Sequence, residues 1–60
     1  MRLLSDTEKH IVRAWSMLRA SNRRCEALQV REALWHQGLS LPMDLVIDRL
    51  KVLSEEGQLG

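Results

Sequence analysis

Three side chains in this sequence could ligate a soft metal: His10, Cys25 and His36. They are widely spaced, with no Cys-x-x-Cys or His-x-x-x-His pair, so a zinc site is not expected. Serine, histidine and aspartate all occur, but no pattern groups them for nucleophilic catalysis. No glycine-rich phosphate loop and no pair of carboxylates suited to acid–base work is present. A chain of 60 residues also has little room for a concave active site. The expectation is a protein that is not an enzyme and takes no cofactor. The remaining chemistry is electrostatic. Arg19, Arg23 and Arg24 cluster around the first break in the helical pattern, and Arg31 could join them. Such a group can clamp phosphates and fix register on a duplex. The competing reading is a solvated loop, as with most short charge runs.

These residues must be held by helices, and the punctuation for three is present. Ser5 is a good N-cap, and Glu8 three residues later completes a capping box. Ile11, Ala14, Trp15 and Leu18 then make an apolar face, with Lys9, Arg13 and Ser16 pointing away. This predicts a first helix over 6–20, closed at Ser21-Asn22, where asparagine tolerates left-handed geometry. Ala27, Val30, Ala33 and Leu34 share a second face, predicting a helix over 26–37 that stops at Gly38. Its start is less defined and could fall anywhere from just after Asn22 to Gln29. Pro42 pushes Leu41 toward extended geometry and fits a first helical turn, so a third helix is expected over 42–56. Asp44 lies in that first turn, where a negative charge is favoured. Val46, Leu50 and Leu53 supply its stripe, Met43 and Ile47 widen it, and Gly57 ends it. Leu18, Leu34, Leu50 and Leu53 are expected to be buried, with no sheet.

Four apolar residues are left over. Leu28 and Trp35 are seven positions apart and lie off the main stripe of the second helix; Leu45 and Val52 do the same on the third. Three short helices rarely enclose so much. Trp35 is either second-layer core or an interface residue, since tryptophan is enriched at binding hot spots. The same surplus predicts a homodimer or a protein partner, with Leu28, Trp35, Leu45 and Val52 at the contact.

Residues 1–60 fit one domain, too small to be robust without staples. Cys25 is the single cysteine and cannot pair internally, which points to a reducing, cytoplasmic setting. No run reaches the length of a membrane span or of a signal-peptide core, so no membrane role is expected. With 45% of residues apolar, disorder is not expected. The net charge of +1 hides an asymmetry. Residues 1–39 carry seven basic against four acidic side chains, net +3, and residues 40–60 carry two against four, net −2.

The order of these elements, with Ile11, Trp15 and Leu18, then Val30 and Leu34, then Gly38, Leu39, Val46, Leu50, Leu53, Gly57 and Leu59, resembles the winged-helix branch of helix-turn-helix domains. The resemblance covers nearly the whole chain, although its pattern is mostly a core pattern and a plain three-helix bundle looks similar. It implies an all-α, three-helix, helix-turn-helix-like bundle. A wing hairpin would begin at about Gly60, so the domain is wingless or a fragment of something longer. The resemblance also implies double-stranded DNA as a partner and a role in transcription regulation, with the third helix in the major groove. The matching positions there are Pro42, Met43, Asp44, Ile47, Asp48 and Lys51. Of these only Lys51 is a usual base-reading type, and Asp44 and Asp48 would repel phosphates. The expected DNA contacts are therefore Arg19, Arg23, Arg24, Arg31 and Lys51. The alternative is a protein-interaction or dimerisation module on the same fold.

Overall fold

Ser5 starts the first helix as its sequence requires. In the computed structural model, which describes residues 3–59, its backbone is extended (φ −69°, ψ 165°) and α1 runs Asp6–Ala20. The Glu8 N–H donates to Ser5 Oγ at 3.2 Å, and the Ser5 N–H donates to Glu8 Oε1 at 3.1 Å. Two of the N–H groups that a helix start leaves open are thereby satisfied. Arg2, counted above among the basic residues, and Gly60, where a wing would begin, lie outside the described residues.

Helix α2 spans Ala27–His36 and α3 spans Met43–Glu55. The fold is an all-α three-helix bundle, with no strand among the described residues. Pro42 is the N-cap of α3 rather than its first helical residue: its ψ of 146° is extended, while its carbonyl already accepts from the Val46 N–H at 3.2 Å. Pro42 φ, −63°, suits either position, so the ring alone could not decide between them.

All three helices stop by the same device. A left-handed residue follows each C-cap: Asn22 (φ 56°), Gly38 (φ 85°) and Gly57 (φ 73°). The next N–H then reaches back to a carbonyl of the last turn: Arg23 to Leu18, Leu39 to Leu34 and Gln58 to Leu53, each at 2.9 Å. This is the Schellman pattern, and it satisfies carbonyls that would otherwise lack donors. It also turns Leu39 and Leu59 back onto the core.

That core is Ile11, Ala14 and Leu18 from α1, Val30 and Leu34 from α2, and Val46 and Leu53 from α3. Trp15, Ala27, Ala33, Leu41 and Leu50 pack around its edge. The expectation that Leu50 is buried is corrected here. It is half-buried, because Val46 and Leu53 carry the centre of the α3 face and Leu50 sits to one side of it. Ile47, expected at the core edge, is 50% exposed.

Candidate interaction surface

Helix α2 buries Val30 and Leu34, half-buries Ala27, Gln29 and Ala33 beside them, and turns the opposite face outward. Position by position, that places Leu28, Arg31, Glu32 and Trp35 on neighbouring turns of one surface, at i, i+3, i+4 and i+7. Trp35 is 64% exposed and Leu28 42%. The second-layer core alternative for Trp35 is thereby answered: its ring stands in solvent. Beside it, Arg31, Glu32, Trp35, Ser40 and Leu41 line an open cleft of about 290 Å3. Its shape depends on the α2–α3 turn. Arg31 Nε donates to the Leu41 carbonyl at 3.3 Å, tying the helix to the turn and holding the guanidinium at the rim. The result is an apolar floor and a tryptophan wall edged by one cation, one carboxylate and one hydroxyl. That composition suits protein recognition, where rigid aromatic area supplies affinity and a few polar groups fix orientation.

The other expected contact residues are less open or differently placed. Leu45 is 36% exposed and Val52 half-buried; with Ile47, α3 also presents apolar surface, but none of its apolar residues is as open as Trp35. Arg19 lies over the Trp15 ring, 5.2 Å from its centroid, beside Ser54, Gly57 and Leu59. Arg23 lines a groove on the α1 side of α2, with Leu18, Ala33 and His36. Arg24 forms a 3.8 Å pair with Glu26, both well exposed and thus worth little. Arg31 faces the α3 side of the same helix. Arg19, Arg23 and Arg31 therefore line three different clefts, and only Arg23 and Arg24 remain together, before the start of α2. Lys51 is exposed on α3 alongside Asp44, Ile47 and Asp48.

His10 and His36 line separate clefts, and Cys25 is half-buried with Sγ 3.7 Å from the Trp15 carbonyl oxygen. Among the described residues no three His, Cys, Asp or Glu side chains come close enough to hold a metal ion. Nor is any described helix long and apolar enough to cross a membrane.

One pairing was missed in the sequence. Glu8 is 3% exposed, and Arg49 of α3 reaches it, Nη1 to Oε2 at 3.6 Å. Arg49 Nε also donates to Asp48 Oδ2 at 3.0 Å. The partner had no local signal, but the position of Glu8 did: Glu8, Ile11, Trp15 and Leu18 fall on one helical stripe, so a carboxylate stands where the core face begins. A cap at an exposed helix start needs no such position.

No family model, curated protein or solved structure matches this chain.

Proposed function

We propose that this chain is a protein-binding module on a helix-turn-helix-like bundle, docking through the outer face of α2 around Trp35. The observation that carries the reading is the exposure of Trp35, 64%, next to a cleft lined by Arg31, Glu32, Ser40 and Leu41. An indole in water costs free energy that a partner surface recovers, and a small domain has few such residues to spare. The outward face of α3 supports the same reading: Asp48 is paired with Arg49, Asp44 disfavours a phosphate backbone, and Lys51 is its one exposed base-reading side chain. The reading includes a non-enzymatic role and a reducing, cytoplasmic location, supported by the lone Cys25 thiol.

One observation favours the second reading, a regulatory DNA-binding domain of winged-helix type. Arg23 and Arg24 are exposed just before α2, whose N-cap residue, Glu26, makes no side-chain hydrogen bond to the first turn. Two guanidinium groups beside a helix start suit a phosphate, against which the Glu26 carboxylate at the same end acts.

The two readings separate in one pair of experiments. A photo-crosslinking residue placed at Glu32 should capture protein in the source cell, and the same residue at Arg13, on α1, should not. Trp35→Ala should reduce the capture at position 32. Duplex DNA titrated at low salt should bind weakly or not at all. Tight, salt-sensitive binding lost with Arg23→Ala and Arg24→Ala, together with no capture at position 32, would replace the first reading with the second.

A further inference from the structure

The outer face of α2 has a symmetry that its sequence makes explicit. At about 100° per residue, Leu28 and Trp35 lie almost on one line along the helix. Arg31 and Glu32 sit at the midpoint of that line in height, roughly 50° to either side of it. An apolar pair is thus flanked by a positive group on one side and a negative group on the other, at the same level. Consecutive residues on a helix do not face each other, and among the described residues neither Arg31 nor Glu32 forms an ion pair within the chain. Arg31 spends its Nε–H on the Leu41 carbonyl, and a guanidinium has further donors on its Nη groups.

Resting on the protein-binding reading above, we propose that the partner is a second copy of this chain, with the two α2 helices packed side by side in the same direction about a two-fold axis. Half a turn about an axis parallel to the helices brings the Arg31 flank of one copy opposite the Glu32 flank of the other. Two Arg31–Glu32 pairs form, one on each side of the contact. Leu28 meets the partner's Leu28, and Trp35 meets the partner's Trp35, an aromatic pair that can stack with an offset. The opposite orientation is disfavoured by charge: it would set Arg31 against the partner's Arg31 and Glu32 against the partner's Glu32. The cleft fits the same geometry. Ser40 and Leu41 lie on the Arg31 side, so the helix entering that cleft presents its glutamate to Arg31 and to the Ser40 hydroxyl. The interface is isologous, as two-fold contacts are. Helix α2 has ten residues. At about 15 Å long it cannot by itself bury the roughly 800 Å2 per partner of a standard stable complex. The dimer is therefore weak and reversible, micromolar at best.

Sedimentation of the full chain from dilute to millimolar concentration tests this directly. The wild type should show a reversible monomer–dimer equilibrium. Arg31→Glu and Glu32→Arg should each weaken it about tenfold, by facing like charges across both pairs. The doubly exchanged chain, R31E/E32R, should regain association, and so should an equimolar mixture of the two single variants. All these positions are exposed, and matched far-UV circular dichroism checks that each variant is folded. Orientation is read separately: in a Cys25→Ser background, Leu28→Cys should oxidise readily to a covalent dimer through position 28. A wild type that is monomeric throughout overturns the proposal. Capture at position 32 would then leave the protein-binding reading standing with a different partner, and no capture would remove both. Single variants that associate like the wild type, or no link through position 28, overturn the charge-paired, same-direction geometry.

Discussion

Replacing Glu8 by glutamine tests how the helices are joined, because it separates the two roles of that residue. Glutamine keeps the capping box, since its side-chain carbonyl can accept from the Ser5 N–H as Glu8 does at 3.1 Å. It removes the charge facing Arg49, 3.6 Å away. The Glu8 side chain is 4% exposed and that of Arg49 32%, so the pair lies between the surface and buried limits. Surface pairs contribute about 0–1 kcal/mol. Breaking a buried pair costs about 3–5 kcal/mol, mostly by stranding a charge. Here Arg49 still has Asp48 and a path to water, so Glu8→Gln should cost about 1–2 kcal/mol. Glu8→Ala also loses the cap, worth about 1 kcal/mol, for a total of about 2–3 kcal/mol. Arg49→Met leaves a carboxylate buried without that partner and should cost as much as Glu8→Ala. Urea unfolding followed by far-UV circular dichroism would measure all of these, with roughly 4–8 °C of Tm per kcal/mol as a thermal check. The double variant E8Q/R49M should be less destabilised than the sum of its parts, by about 1–2 kcal/mol of coupling. A glutamine variant as stable as the wild type, with no coupling in the cycle, would show that the cap alone explains Glu8.

The core and the helix ends make sharper contrasts. Leu34→Ala and Leu53→Ala, both fully buried, should cost about 2–5 kcal/mol each, whereas Leu50→Ala at the core edge should cost clearly less in the same urea titration. Gly57→Ala should destabilise by about 1–2 kcal/mol through its φ of 73° alone, because an added Cβ meets no atom within 4 Å, and Gly57→Asn should recover part of that loss. Trp35→Ala should change monomer stability by no more than about 1 kcal/mol while weakening association, a separation that unfolding and sedimentation together would show. If duplex DNA is bound at all, Arg23→Ala and Arg24→Ala should each lower the salt slope by about one.

Much of the fold was legible because it is written in local signals. Ser5 with Glu8, Asn22, Gly38 and Gly57 each act within one turn of helix, and the ends they mark fall within a residue of where they place them; the start of α2, which has no such signal, was open from just after Asn22 to Gln29 and falls at Ala27. Helical periodicity placed Ile11, Ala14, Leu18, Val30, Leu34, Val46 and Leu53 on the inner faces, together with Trp15, Ala27, Ala33 and Leu50, which the bundle leaves at the core edge. Leu50 was misjudged because periodicity marks a face but not its centre, which the crossing of neighbouring helices decides. The Glu8–Arg49 pair links positions 41 apart in sequence, and no local pattern relates them. The surface was legible only in part. Off-stripe spacing singled out Leu28, Trp35, Leu45 and Val52 alike, yet how far each is covered depends on what packs beside it. The turn at Ser40–Leu41 leaves Trp35 open, whereas Val52 ends half-buried. The arginines were grouped by nearness in sequence, and the bundle distributes Arg19, Arg23 and Arg31 to different clefts.

The docking surface on α2 is tested most directly by residue-resolved chemical shifts, in 1H–15N spectra recorded from dilute to millimolar protein and then with duplex DNA at low salt. Concentration-dependent shifts are expected at Leu28, Arg31, Glu32, Trp35 and the Trp35 indole, with Asp44, Asp48 and Lys51 unmoved by DNA. Spectra that do not change with concentration, together with DNA-induced shifts at Arg23, Arg24 and along the outward face of α3, would contradict docking through α2.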